Sequence, residues 1–261
     1  MFALFAAAAV AATVAATVAA PVPLAPPTEA AQEARGARCV ALAKSQPDKA
    51  MEEARAWAAS GGGGIAARQC LGIAQASLEQ WAAAATTFES AAKDAQIAQN
   101  PVAVILWMQA GNAALAGGES ARAGLAFNRT LALPGLSNEM KGEVYLDRAR
   151  AAVDIGDLPR AKDDLEQATT LVPTDPLGWL LRANLARRMK EMPLAFSAIR
   201  QAAALSPGDA SIAYEAGNIA AASGNADDAR AAWTRAAQIA PDSNAGQAAA
   251  LALKDAAAPK P

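Results

Sequence analysis

Apolar and small residues recur along most of the chain at spacings of three, four and seven positions, which is the pattern of one face of an α-helix. In the second half the pattern repeats every 34 residues, and each copy closes on a proline, at Pro173, Pro207 or Pro241. Proline lacks an N–H group and fixes φ, so it ends the helix before it. Turn residues interrupt two copies near their middle, at Gly156-Asp157 and Gly224-Asn225. The pattern therefore predicts consecutive pairs of antiparallel helices.

The three copies align from Gly142, Pro176 and Ala210. Their eighth, twentieth and twenty-seventh positions hold only alanine or glycine, which lets two helices approach closely. The twenty-fourth position holds a larger residue: Leu165, Ile199 or Trp233. This combination of small and large residues predicts a packed core between the two helices of each copy.

The pattern resembles the tetratricopeptide repeat, a 34-residue helix pair with an A-x3-F element in its second helix and a proline at its end. The element reads here as Ala161-x3-Leu165, Ala195-x3-Ile199 and Ala229-x3-Trp233. The resemblance implies an all-α fold, a right-handed α-solenoid of antiparallel helix pairs with a C-terminal capping helix. Lys190-Glu191 departs from the usual Gly-Asp or Gly-Asn turn, and we interpret it as a substitution within the same fold.

The register continues toward the N terminus in less regular copies. We expect a degenerate helix pair at 29–60, repeats at 65–103, 104–141, 142–175, 176–209 and 210–242, a capping helix at 243–255 and a disordered tail at 256–261. The glycine run at 61–64 is interpreted as a flexible connection between helices. A nucleotide-binding loop would instead follow a strand and carry Lys-Ser or Lys-Thr.

Residues 1–20 form an uncharged apolar stretch, and a Pro-rich linker at 21–28 follows it. The stretch resembles a secretory signal peptide with cleavage before Ala20, although no Lys or Arg precedes it. It is also just long enough for an uncleaved N-terminal anchor, and a buried structural helix is the third alternative. A cleaved signal predicts a periplasmic or secreted protein. An anchor predicts a protein held at the inner membrane and facing the periplasm.

Cys39 and Cys70 are the only cysteines, and both are expected on first helices of adjacent helix pairs. Such helices pack side by side, and an exported protein folds in an oxidising compartment, so we expect a disulfide between them. Two buried thiols are the alternative. Together with Pro47, Trp57 and the glycine run, the cysteines resemble a group of secreted α-proteobacterial tetratricopeptide proteins that has no defined activity.

The polar residues argue against catalysis. Lys and Arg number 23 and Asp and Glu number 25, with no basic block, so nucleic acid is not an expected partner. The chain has no histidine, which is the commonest general base and metal ligand. Two cysteines alone are a poor ligand set for zinc. We therefore expect no enzyme activity, no cofactor and no metal site.

In tetratricopeptide solenoids the first helices line a concave groove, toward which positions 2, 5, 6, 9, 12 and 13 of each repeat point. The resemblance implies that a partner binds along Met108, Gln109, Asn112, Leu146, Asp147, Arg150, Leu180, Leu181, Asn184, Arg187, Tyr214, Glu215 and Asn218. Asn112, Asn184 and Asn218 share the ninth position, where an amide can both donate to and accept from a peptide backbone. The alternative is that these asparagines are merely tolerated on a solvated face.

The lysines and arginines of the carboxylate clamp, which grips chaperone C-termini in this family, are absent from positions 2, 5 and 6 of the central repeats. Leucines in the groove favour an amphipathic helix or an apolar peptide as the ligand, unless they pack between repeats. The leading prediction is a non-enzymatic scaffold of the bacterial envelope that binds a protein or peptide. A membrane-tethered assembly factor for an envelope complex, with the membrane reached only through an uncleaved N-terminus, is the alternative. An enzyme ranks third, and the oligomeric state is not predicted.

Overall fold

The computed structural model describes residues 28–61 and 63–257, and this part of the chain contains α-helices and no strand. The expectations for residues 1–20, for the linker up to 27 and for the tail beyond 257 lie outside these residues. The described helices are α1 (Glu29–Ser45), α2 (Pro47–Ala59), α3 (Gly64–Ser77), α4 (Trp81–Ile97), α5 (Ala103–Ala116), α6 (Ser120–Leu131), α7 (Asn138–Asp154), α8 (Leu158–Leu171), α9 (Pro176–Arg188), α10 (Met192–Leu205), α11 (Ala210–Ala222), α12 (Ala226–Ile239) and α13 (Asn244–Ala257).

Each odd-numbered helix from α1 to α11 packs against the next even-numbered helix, which gives six pairs followed by α13. The predicted all-α helical-repeat solenoid is thus confirmed. Some boundaries differ from the sequence prediction. Helix α7 begins at Asn138, four residues before the predicted repeat at 142–175, and its N-cap Ser137 accepts a hydrogen bond from the N–H of Met140. The last helix continues to Ala257, two residues into the segment expected to be disordered, because Lys254 lies in its last turn and no proline or glycine occurs before residue 259.

Local chemistry at the helix ends explains why the pairs start and stop where they do. The side chains of Asp175 and Asp209 accept hydrogen bonds from the first backbone N–H groups of α9 and α11. Between the two helices of a pair, the chain passes through the left-handed region, with φ of 80° at Gly156 and 79° at Gly224. Lys190 takes the same conformation, with φ of 61°. The substituted turn therefore keeps the geometry of the glycine turns.

The core consists of small clusters that lie between the helices of a pair and extend to the next pair. In three pairs, the aromatic residue at the twenty-fourth repeat position packs directly on a glycine at the eighth. A Cβ added to these glycines would lie 2.5 Å from Phe88 at Gly72, 2.5 Å from Phe127 at Gly111 and 2.4 Å from Trp233 at Gly217. No side chain larger than hydrogen fits there while the ring keeps its position.

The two cysteines are joined in a disulfide between α1 and α3, with the Cα atoms 5.8 Å apart. Both side chains are buried. Because α1 otherwise buries only Ala43 completely among its apolar residues, the bond is a main attachment of this helix to the rest of the chain. Among the residues described, no helix combines the length and the apolar character needed to cross a bilayer.

Candidate functional site

First helices of consecutive pairs lie side by side, with direct contacts between α1 and α3, α5 and α7, and α9 and α11. The surface that these helices form is called the groove below. Two depressions open on it, and each lies between first helices above a large apolar residue of a second helix. They provide the groove with places where a side chain of a partner can enter.

The N-terminal cleft has a volume of about 400 Å³ and lies between α3 and α5. Phe88 of α4, which is only 2% exposed, forms its floor. The complete lining is Lys44, Ile73, Ala76, Ser77, Trp81, Phe88, Gln109, Asn112 and Ala113. Apolar and aromatic surface at the bottom and polar groups at the rim suit the uptake of an apolar side chain.

The central cleft has a volume of about 220 Å³ and lies between α7 and α9, above Leu165 of α8. Its remaining lining residues are Leu115, Ala149, Arg150, Val153, Asp154, Leu181, Asn184 and Leu185. Leu115 comes from α5, so this cleft reaches across three first helices. The two clefts are therefore neighbours, with α5 contributing to both.

Five residues of the predicted groove line these clefts. Gln109 and Asn112 lie in the N-terminal cleft, and Arg150, Leu181 and Asn184 lie in the central one. Asn112 is exposed and forms no hydrogen bond with the described residues. Its amide is accordingly available to a partner, as the sequence analysis expected of the ninth position.

Three other predicted residues are buried and offer almost no surface to a partner, so the prediction that they line the groove is wrong for them. Met108 is 9% exposed, Leu146 is 8% exposed and Glu215 is 4% exposed. Leu146 packs toward Gly178 of the next pair, where a Cβ would lie 3.6 Å from its Cδ2 atom. The absence of a side chain at Gly178 brings α9 close to α7 and covers Leu146.

A hydrogen-bonded network around Glu215 uses two of the three ninth-position asparagines. The Glu215 carboxylate accepts hydrogen bonds from Arg187 Nε at 2.6 Å and from the amides of Asn184 and Asn218 at 3.2 Å each. The Asn218 oxygen in turn accepts the indole N–H of Trp233 at 3.1 Å. Asn218 thus satisfies a buried carboxylate and a buried indole, and Arg187 neutralises the charge. The contacts of Asn218 and Arg187 are therefore structural, whereas Asn184 makes one bond to Glu215 and also lines the central cleft.

The remaining predicted residues have mixed positions. Leu180 and Tyr214 are partly buried against the core clusters of the last two pairs and α13. Arg150, whose side chain is 58% exposed, donates to Asp147 at 3.1 Å. Burial raises the pKa of Asp147, and the charge of Arg150 and its hydrogen bond partly oppose this rise. The arginine head therefore lies at the rim of the central cleft, beside the partly buried carboxylate of Asp147.

Several lining residues were not predicted, although their repeat positions indicate the groove. Ile73 and Ser77 hold the ninth and thirteenth positions of the repeat at 65–103, and Leu115 and Val153 hold twelfth positions. Lys44 had no such signal, because it belongs to the degenerate first pair. No group of three or more potential metal ligands occurs among the described residues.

The family model of the tetratricopeptide repeat matches residues 71–136, 146–210 and 197–245, which is more than half of the chain. A comparison with curated proteins gives no match. Solved structures with the same fold include that of Pseudomonas aeruginosa pilF, with 14% identity and a TM-score of 0.64. The match covers 85% of this chain and 99% of that one. BtubC from P. vanneervenii has 16% identity and a TM-score of 0.62, covering 88% and 95%.

YrrB, described as a tetratricopeptide protein with an unusual peptide-binding site, has 18% identity and a TM-score of 0.54, covering 71% of this chain and 91% of that one. At these identities the structural likeness establishes the fold alone. Repeat solenoids of this kind present extended surfaces that serve as scaffolds for protein interactions. On the match of the family model, the chain belongs to the tetratricopeptide repeat family.

Proposed function

We propose that this protein is a non-enzymatic scaffold of the bacterial envelope and that it binds a segment of a protein partner in the groove. The observation that carries the proposal is the pair of neighbouring clefts on one face, each with an apolar floor and a polar rim. A peptide that crosses first helices could place apolar side chains in both clefts. The exposed amide of Asn112 could then pair with its backbone, which would otherwise lose hydrogen bonds to water.

The buried carboxylates of the described region support a structural role for its charges. Asp164 and Glu215 are the most buried of these acids, and each is bound by an arginine, Arg148 or Arg187. Carboxylates held in this way are neutralised within the fold. The groove thus offers a ligand two clefts and hydrogen-bonding groups, which are the features of a binding surface.

The envelope location rests on the disulfide and on the apolar stretch at residues 1–20. Disulfides persist in oxidising compartments such as the periplasm, and they are rare in the cytosol. Mass spectrometry of the mature protein tests this part of the proposal. A mature chain that begins at or near Ala20 supports a cleaved signal peptide, whereas a chain that retains residues 1–20 supports the membrane-tethered alternative.

The binding site is tested by site-specific photo-cross-linking in the native host. A photoreactive amino acid replaces Asn112 or Asn184 in the groove, and, in a matched control, the exposed Ser90 on the second helix α4. We expect the same partner to be captured from Asn112 and Asn184 and not from Ser90. Capture that is equally strong from Ser90, or absent from both groove positions, would show that binding uses another surface.

A further inference from the structure

The polar groups that line the N-terminal cleft differ in charge from those of the central cleft. Lys44, Ser77, Gln109 and Asn112 line the N-terminal cleft, which contains a cation and no carboxylate. Lys44 is exposed and forms no ion pair within residues 28–61 and 63–257. Its charge is therefore available to a ligand that enters this cleft.

The apolar side of the N-terminal cleft lies next to this cation. Ile73, Trp81 and Phe88 supply its largest apolar surfaces, and the small Ala76 and Ala113 leave the space between them. A ligand that fits must combine an apolar side chain, which leaves water on entering, with a carboxylate placed close enough to reach the ammonium group.

The central cleft shows no such bias. Arg150 lines it together with Asp154, and the nearby Asp147 already holds the arginine head. The lining itself thus carries one cation and one carboxylate, and Leu115, Leu165 and Leu181 supply most of its apolar surface. This cleft suits an apolar side chain without a charged neighbour of either sign.

The two clefts follow one another along the groove. Asn112 lines one and Leu115, one helical turn later on α5, lines the other. Packed helices lie about 8–10 Å apart, so the centres of the clefts, two first helices apart, are separated by roughly 16–20 Å. An extended chain, at about 3.3 Å per residue, covers this distance in about five or six residues. Lys44 lies on α1, beside the N-terminal cleft, so the carboxylate that reaches it belongs either to a side chain next to the apolar residue or to the end of the segment.

We propose that the groove recognises a polarised extended segment. Its apolar residue flanked by Asp or Glu enters the N-terminal cleft, and a second apolar residue about five or six positions away enters the central cleft. The proposal rests on the proposed function, because it specifies the chemistry of the partner at the same site.

The test is a selection of random peptides displayed on phage with both peptide ends fused to coat protein, so that no terminal carboxylate is present. The purified wild-type protein, Lys44→Glu and the matched control Lys93→Glu are the three baits. Lys93 is an exposed lysine on α4 that lines neither cleft, and the control makes the same change in net charge. Circular dichroism and thermal melting establish that each bait is folded.

We expect the wild-type pool to be enriched in Asp or Glu within two positions of an apolar residue. The Lys44→Glu pool should lose this enrichment and gain Lys or Arg. A peptide synthesised from the wild-type pool, acetylated and amidated, should bind Lys44→Glu about tenfold more weakly, which is about 1.4 kcal/mol, since the change replaces an attraction by a repulsion. Its affinity for Lys93→Glu should stay within about twofold, as expected for a distant exposed charge.

Two further variants separate this proposal from the proposed function. Asn112→Trp and Asn184→Trp place bulk at the rims of the N-terminal and central clefts. If both variants lose the selected peptides while Lys44→Glu binds them as tightly as wild type, the charge preference is refuted and the groove remains the site. If both variants retain the peptides, or if no peptide is selected, the groove assignment fails as well. If peptides were enriched only from a second library with free C-termini, the carboxylate that binds near Lys44 would be the terminal one. That result would refute the proposed role of an Asp or Glu side chain.

Discussion

Two kinds of helix pair occur in this molecule, and they solve the same packing problem differently. In α3–α4, α5–α6 and α11–α12, an aromatic ring of the second helix lies on a glycine of the first. In α7–α8 and α9–α10, the smaller Leu165 and Ile199 stand at the position of the ring, and alanines, Ala149 and Ala183, stand at the position of the glycine. A larger residue on one helix thus accompanies a smaller one on its partner, which conserves the volume between them.

The aliphatic pair α7–α8 also contains a buried ion pair between its own two helices. Arg148 and Asp164 join α7 to α8 with an Nη2–Oδ1 distance of 2.6 Å, and the two side chains are 17% and 4% exposed. Arg148 also donates to Asn128 of α6 at 2.6 Å and thereby links two repeats. In the aromatic pairs the ring and the glycine fit by shape, and in α11–α12 the indole of Trp233 also donates to Asn218. In α7–α8 the charged groups add directional contacts, which demand a particular register.

The largest effect is expected from breaking the ion pair of α7–α8. Arg148→Met leaves the carboxylate of Asp164 buried without its cation and should lower the free energy of unfolding by about 3 kcal/mol or more, measured by urea denaturation. Arg200→Met is the control, because Arg200 is exposed on α10 and its replacement should change stability by less than about 0.5 kcal/mol.

The double variant Arg148→Met/Asp164→Leu sharpens this prediction, because it removes both charges. Its stability should recover most of the loss, since an apolar pair of similar volume is often as stable as a buried ion pair. A double variant that stays as unstable as Arg148→Met would mean that the contacts of Arg148 with Asn128 and the next repeat, rather than the buried charge, cause the loss.

A smaller effect is expected from converting an aromatic pair toward the aliphatic kind. Gly111→Ala places a Cβ 2.5 Å from the ring of Phe127 and should lower stability by roughly 1–3 kcal/mol. Phe127→Leu in the same chain should restore part of the loss, because it recreates the alanine and leucine of α7–α8. Additive losses in the double variant would contradict the proposed conservation of volume.

Gly124→Ala provides the matched control on the neighbouring helix α6. No atom lies within 4 Å of the Cβ that it would add, apart from its own local backbone. This change should raise stability by about 0.5–1 kcal/mol, which is the usual advantage of alanine over glycine inside a helix. The opposite signs expected at Gly111 and Gly124 separate the contact with the ring from helix propensity.

The smallest effect concerns Asp147, which lies beside Arg148 on α7 and whose pKa is raised by burial from its ordinary value of 3.8. An acid with a raised pKa in the folded state favours folding when protonated, and this contribution is lost as pH rises through the raised pKa. Asp147→Asn is neutral throughout. It should therefore be slightly more stable than wild type at neutral pH, with a difference that shrinks as pH falls toward 3.8.

Urea midpoints measured for both proteins across this range test the prediction. If Asp147→Asn is less stable than wild type at neutral pH, the hydrogen bond with Arg150 outweighs the cost of burying the charge. Asp147 would then be stabilised by its arginine, as Asp164 is by Arg148.

The periodic positions made most of the fold predictable, because small residues, large apolar residues and prolines recur at fixed positions of a 34-residue repeat. The site was less predictable. Repeat position indicates the face on which a side chain lies, and it found Asn112 and Asn184. It does not indicate which acceptor on the neighbouring helix comes within reach, so the capture of Asn218 by Glu215 and Trp233 was missed. Likewise, Leu146 is covered because Gly178 lets α9 approach it closely, and this approach depends on residues of both repeats.

The disulfide between α1 and α3 has a consequence for the oxidative folding of the protein. With Cys39 and Cys70 as the only cysteines, intramolecular oxidation has one product, whereas four cysteines would allow three. A thiol oxidant alone is sufficient to form this disulfide, and no isomerase is required to correct wrong pairings within the chain. Both cysteines precede residue 71, so the cross-link can close as soon as the first three helices have been delivered, before the later repeats arrive.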